Sequence, residues 1–277
     1  MSRLTRREFL VTSAAAAGYT LAAGPLRADV ISTPTKGLVE GAVSIPVLGR
    51  SIPGYRAKPA GVEKPPVVLV VQEIFGVHEY IRDVCRRLAH AGHLAVAPDL
   101  YVRQGDVSKL TSFEEIRPIV ASVPDAQVMA DLDATAAWAE ADGGNGDRLA
   151  ITGFCWGGRI VWLYSAHSKK LRAGVAWYGR LSGDKTDLQP KFPLDVADML
   201  HAPVLGLYGA EDTGIPLDNV EKMRAALAAA GGKSKIDVFD AAPHGFHADY
   251  RPSYRDAAAR EGWKRMLAWF EANGASA

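Results

Sequence analysis

Several things are scarce in this 277-residue chain, and each scarcity excludes something. Two cysteines are too few for a disulfide framework or a four-thiolate zinc site. Neither sign of charge dominates: 32 Lys+Arg stand against 31 Asp+Glu, a formal net charge of +1. No basic field for a phosphate backbone is present, so no nucleic-acid partner is expected. Glycine (27) and proline (16) fall well short of a collagen-like or low-complexity scaffold. No apolar run reaches the roughly 18 residues of a spanning helix. What is there, 48% hydrophobic and 23% charged residues, suits one large α/β core.

The N-terminus reads as an address. Thr5-Arg6-Arg7-Glu8-Phe9-Leu10 sets two arginines before an apolar pair, and an Ala-rich stretch runs from Val11 to about Gly24. Charge, then a modest apolar stretch, then small residues near Ala23 or Ala28 make a signal-peptide pattern. The paired arginines point to the twin-arginine route, with its export machinery as a partner and a periplasmic or secreted product. Residues 1–28 are therefore expected to be the signal, 29–42 an extension and 43–277 the working domain, with no stable membrane insertion after cleavage. Removing 1–28 takes away Arg3, Arg6, Arg7, Arg27 and Glu8, which leaves the mature chain slightly acidic.

From Val43 onward, strand-like and helix-like segments alternate. Val67-Val68-Leu69-Val70-Val71 is β-branched without polar alternation, as in a strand buried on both faces. Further strands are expected at 94–97, 149–152, 173–177, 203–208 and 235–239. Helices are expected at 78–91, 128–141, 158–166, 216–230 and 253–272, and Val43–Tyr55 suits an antiparallel hairpin at the edge. Such alternation implies an α/β fold with a mostly parallel central sheet covered by helices on both faces. Functional residues then belong in the turns after the strands' C-terminal ends.

One such turn is Gly153-Phe154-Cys155-Trp156-Gly157-Gly158, a G-x-S-x-G pattern with cysteine in the serine position, between a strand and a helix. The glycines let the backbone pass through a tight turn, and the helix N-terminus behind it favours negative charge on a thiol. Cys85, on the apolar face of a helix, reads as inert packing. A thiol nucleophile needs a base and the base an orienting acid, in the chain order nucleophile, carboxylate, histidine. Asp212 follows the 203–208 strand, with Glu211 as its competitor, and His244 follows the 235–239 strand. His78, His90, His93, His167 and His201 read as ordinary helix or surface positions. His244/His247 and His90/His93 could share a metal, but no carboxylate or cysteine cluster stands at ligand spacing. No metal and no cofactor are expected.

At these residues the sequence resembles the dienelactone hydrolases (carboxymethylenebutenolidases) of the α/β-hydrolase fold. Five motifs occur in order: Gln72-Glu73-Ile74-Phe75-Gly76, Ala97-Pro98-Asp99-Leu100-Tyr101, the Cys155 turn, Gly209-Ala210-Glu211-Asp212 and His244-Gly245-Phe246. The resemblance implies a Cys155–His244–Asp212 triad, with Glu73 beside the nucleophile controlling its ionisation by accepting its proton as substrate binds. It implies an oxyanion hole from the backbone N–H groups of Ile74 and Trp156. In the family two arginines hold the substrate carboxylate. Arg103 matches the first, the second falls on Ala248, and Arg251 is the neighbouring candidate to replace it. Tyr101, Trp156, Trp177 and Tyr178 either line an apolar pocket or fill the core. The implied activity is hydrolysis of a lactone or small ester through an acyl-enzyme. The rival readings are a carboxylate-binding protein that has lost turnover and a redox-active thiol protein.

Overall fold

The computed structural model describes residues 30–277. The expected signal peptide, residues 1–28, lies outside them. The described residues carry eight strands: β1 (Leu38–Val47), β2 (Arg50–Pro59), β3 (Pro66–Val71), β4 (Leu94–Pro98), β5 (Asn145–Phe154), β6 (Leu171–Trp177), β7 (Val204–Gly209) and β8 (Lys235–Phe239). Six α-helices accompany them: α1 (Glu79–His90), α2 (Phe113–Ala121), α3 (Asp125–Ala141), α4 (Trp156–His167), α5 (Leu217–Ala230) and α6 (Asp256–Ala272).

All eight strands form one sheet in the order β1-β2-β4-β3-β5-β6-β7-β8. The β1–β2 hairpin is antiparallel and β2 joins β4 antiparallel, while every other pairing is parallel. The uniformly apolar strands sit at its centre, and every residue of β3, β4 and β7 is buried. Solvent on one face would have left half of each strand polar. Small residues set how closely the helices approach. Gly174 of β6 leaves room for Val161 of α4, and Gly262 of α6 leaves room for Trp177. Gly174 and Trp177 are three apart on one strand and so point to opposite faces, which puts α4 and α6 on opposite sides of the sheet.

The structure differs from the sequence reading in two places. The edge hairpin reaches back to Leu38, which pairs with Pro59, so the sheet begins inside the stretch expected to be an extension. Just before it, Thr33 ties to the buried Asp83 through its backbone N–H (2.6 Å) and its hydroxyl (3.1 Å). Helix α2 had no counterpart in the sequence reading. It is short, holds Pro118 in its interior, and is started by Ser112, whose hydroxyl accepts from the Glu114 N–H at 3.2 Å.

Candidate active site

Strand β5 ends at Phe154 and α4 begins at Trp156, so a single residue, Cys155, makes the turn between them. Its backbone is forced to φ 55° and ψ −114°, a region that side-chain-bearing residues rarely enter. The flanking glycines hold it there. A Cβ on Gly153 would come within 2.4 Å of the Gly157 carbonyl oxygen, and one on Gly157 within 2.5 Å of the Val71 carbonyl oxygen. One on Gly158 would meet the Trp177 carbonyl oxygen at 2.5 Å. These obstacles are backbone and cannot move aside. The turn is pinned further by the Cys155 N–H donating to the Trp177 carbonyl at 3.0 Å.

Asp212 follows β7 and His244 follows β8, and the parallel sheet brings both to the rim that holds Cys155. His244 Nδ1 lies 2.7 Å from Asp212 Oδ2. The other Asp212 oxygen accepts the Gly214 and Ile215 N–H groups at 2.9 and 3.1 Å, which fixes the carboxylate before the ring meets it. Glu211, the competing acid, is exposed. The His244 ring also interacts with Cys155. Burial opposes charge on this imidazole, but its interactions with Cys155 and Asp212 push it up to about 10.

Cys155 is only 3% exposed, yet it lines a cavity of about 320 Å³ together with Ile74, Trp156, Tyr178 and His244. The thiol is therefore sheltered, not sealed off. Phe113, Ile116 and Val120 of α2, with Phe192 and Ile215, make an apolar wall, and the charged residues Arg117, Arg180 and Asp184 line the cavity with them. Arg159 also lines the cavity, but both its terminal nitrogens pair with Asp125 at 2.7 Å. None of the α2 residues, nor Arg180, Phe192 or Ile215, stood out in the sequence. Each lies in a connecting segment without a motif, and only the fold brings them together.

Ile74 and Trp156 flank Cys155 on the cavity surface, where their backbone N–H groups were expected. Glu73 is fully buried beside this turn and is not among the residues lining the cavity. Of the four aromatics, Trp156 and Tyr178 reach the cavity, while Tyr101 and Trp177 are core residues. Trp177 donates to Thr152 Oγ1 at 3.1 Å and stacks on Phe154, and the Tyr101 ring packs edge-on against Trp156. Neither arginine expected at the substrate carboxylate lines the cavity. Arg103 forms an ion pair with the buried Asp131, and Arg251, itself buried, faces Glu73. The burial of both acids explains the change: an uncompensated carboxylate in the interior would cost more than the lost surface charge.

The histidine pairs diverge. The His247 ring bonds the Tyr80 hydroxyl at 2.6 Å, deep in the core, and burial holds it neutral. His90 bonds the Pro34 carbonyl at 2.7 Å, whereas the buried His93 packs on Phe270. No group of three or more potential metal ligands occurs among the described residues. His78, read as an ordinary helix or surface position, stands 3.5 Å from Glu73. Cys85 is fully buried in α1, and burial pushes its thiol far up.

The chain is similar to known proteins in sequence and fold. The model of the dienelactone hydrolase family matches residues 52–274. The chain is 54% identical over 259 residues to the protein named "Putative carboxymethylenebutenolidase" in Escherichia coli K12, covering 93% of this chain and 96% of that one. The protein of the same name in Methylorubrum extorquens is 55% identical over 274 residues, 98% of this chain and 94% of its own. A crystal structure titled "Putative Dienelactone Hydrolase", from Klebsiella pneumoniae, superposes with a TM-score of 0.83 at 55% identity, covering 84% of this chain and 98% of the other. With its eight-stranded sheet, the turn at Cys155 and these relatives taken together, the chain belongs to the dienelactone hydrolase family and has the α/β-hydrolase fold.

Proposed function

We propose that this protein hydrolyses a lactone or small carboxylic ester through a Cys155 nucleophile, without a cofactor. What supports the reading is the convergence of Cys155, His244 and Asp212 at one rim of the sheet, beside a cavity that Cys155 and His244 line. His244 takes the thiol proton, and the sulfur attacks the substrate carbonyl. The oxyanion that forms is met by the N–H groups of Ile74 and Trp156, each contributing on the order of 3 kcal/mol in comparable hydrolases. The tetrahedral adduct collapses to a thioester as His244 returns its proton to the departing alkoxide. Water, with His244 again as base, then cleaves the thioester and frees the acid.

The cavity suits a small substrate with an apolar body. Its arginines, Arg117 and Arg180, outnumber its one acid, Asp184, which suits a carboxylate at one end of the substrate. The name carried by the relatives, carboxymethylenebutenolidase, denotes an enzyme acting on such a lactone. A twin-arginine signal in residues 1–28 would export the folded enzyme, and fractionation of cells expressing an Arg6→Lys, Arg7→Lys variant tests this.

The deciding experiment is turnover of p-nitrophenyl acetate and of a dienelactone by the purified protein. Cys155→Ala should lower kcat/KM by about 10⁴-fold or more, and mass spectrometry of wild type should trap an acyl group on Cys155. Unchanged rates in Cys155→Ala remove the mechanism. Tight binding of a carboxylate without turnover would favour a binding protein, and reversible oxidation of Cys155 coupled to function would favour a redox role.

A further inference from the structure

Arg159 stands one helical turn beyond Cys155 on α4 and lines the same cavity, yet its guanidinium is engaged by the protein itself. Nη1 and Nη2 each donate to one oxygen of Asp125 at 2.7 Å, and Nη2 donates again to the Lys191 carbonyl at 2.6 Å. The guanidinium carbon lies over the Phe192 ring, 4.8 Å from its centre. Asp125 opens α3, just past the corner that follows α2, and its backbone N–H donates to the Leu188 carbonyl at 2.8 Å. Gln189 completes the junction: its side-chain amide donates to the Val120 and Val123 carbonyls at 3.3 and 3.4 Å.

Three segments therefore meet at one buried cation: the helix behind the thiol, the α2–α3 corner, and residues 188–192 of the segment after β6. The last two carry much of the apolar wall, with Ile116 and Val120 on one side of the junction and Phe192 on the other. A guanidinium can make this junction and an ammonium cannot. The planar fork gives two parallel bonds to one carboxylate, a third to a carbonyl, and a face for an aromatic ring. Asp125 gains from its place in the first turn of α3, where the helix dipole favours an anion. Arg159 is 3% exposed and Asp125 9%, so little water is at hand to replace either partner. The cavity they brace is about 320 Å³, at the small end of the range for ligand sites.

We propose that Arg159 and Asp125 are positioning residues for specificity: their clasp fixes how closely the wall stands to Cys155, and so limits the size of the ester or lactone that reaches the thiol. Loosening the clasp lets the wall retreat and admits bulkier acyl groups, while Cys155, His244 and Asp212 stay where the strand ends put them. The clasp makes and breaks no bond in the reaction. The inference rests on the hydrolase reading above for the nature of the molecule admitted, but not for the size limit itself.

The test sets two reagents of the same chemistry and different size, iodoacetamide and N-benzyl iodoacetamide, against Cys155 in the full chain. Mass spectrometry reads each rate, and each is divided by the rate of the same reagent with glutathione. The quotient of the two does not depend on the fraction of folded molecules and needs no turnover. In wild type the bulkier reagent should be disfavoured by roughly tenfold or more, and in Asp125→Asn and Arg159→Lys that gap should narrow by about threefold or more. The preference for p-nitrophenyl acetate over p-nitrophenyl hexanoate, as kcat/KM, should narrow with it. A merely structural role would lower both members of each pair together. Unmoved quotients in variants with a native circular dichroism spectrum, or no size discrimination in wild type, would overturn the proposal. So would wild-type behaviour of Arg159→Lys, since charge without the fork would then suffice. Should the single variants not fold, Asp125→Leu/Arg159→Met removes both charges and leaves neither unpaired. Its alkylation gap must narrow in the same way, and an unchanged gap overturns the proposal. Absence of ester and lactone turnover by wild type would instead count against the hydrolase reading and leave the alkylation quotients to decide the size limit.

Discussion

The floor and the wall of the cavity are built by different means. The floor, Cys155, His244 and Asp212, stands where β5, β7 and β8 end; backbone pins the Cys155 turn and holds the Asp212 carboxylate, which in turn holds the His244 ring. The wall comes mostly from α2 and from the segment after β6, with Ile215 added from the loop after β7. Reaction geometry needs positions held to a fraction of an ångström, and a strand end supplies them. Selection among substrates needs shape and charge, and a connecting segment can change these without disturbing the chemistry. The comparison puts the candidate chemical groups and most of the cavity wall in different parts of this fold, with Ile215 touching both.

Substitutions can test that separation, beginning with the largest effect. Asp212→Asn should lower kcat by about 10³- to 10⁴-fold, because the His244 ring loses its orienting acceptor, while KM moves little; steady-state kinetics read both. Gly157→Ala should come next. Its Cβ would sit 2.5 Å from the Val71 carbonyl oxygen and 2.6 Å from that of Gln72. A loss of roughly 3–5 kcal/mol of stability, or failure to fold, is expected by thermal or urea melting. The same change at Gly232, where a Cβ meets nothing within 4 Å, serves as the control.

Acid stability tests the anion behind the floor. Glu73 has a folded value of about 2 against an ordinary 4.5. A lowered carboxyl stabilises the fold fully above pH 4.5 and loses that contribution as pH falls towards 2. The melting temperature of wild type should therefore drop across this window, and Glu73→Gln should show a shallower decline. An equal slope in the two proteins would contradict the placement of that charge. The smallest effect belongs to the wall. Arg117→Ala or Arg180→Ala should raise KM for a carboxylate-bearing lactone about tenfold, on the order of 1 kcal/mol. Both should leave p-nitrophenyl acetate turnover unchanged. A similar loss on the neutral ester would mean that floor and wall are not separable.

Particular elements show what could be read in advance. The alternation of strands and helices from β3 to α6 was legible, because strands buried on both faces must be apolar throughout and helices must be periodic. The Cys155 turn was legible because its glycines are a steric requirement. Helix α2 was not, since Pro118 and its short length break the periodic signal, and with it went most of the cavity wall. Arg103 and Arg251 were expected to meet substrate, yet Asp131 and Glu73 engage them. Spacing along the chain says nothing about which acid a long, flexible cation will reach. For the same reason His78 and Tyr250, 172 positions apart, gave no sign of sharing the Glu73 carboxylate.

Taken alone, the order of residues determined the layered sheet and the strained turn with its thiol, because hydrophobic periodicity and the size of glycine act over short stretches of chain. Tertiary structure alone decided the partners of the buried charges and the residues that close over the cavity. Those depend on which distant segments come to lie side by side. A buried charge must find an opposite charge or a hydrogen-bond donor wherever the fold presents one.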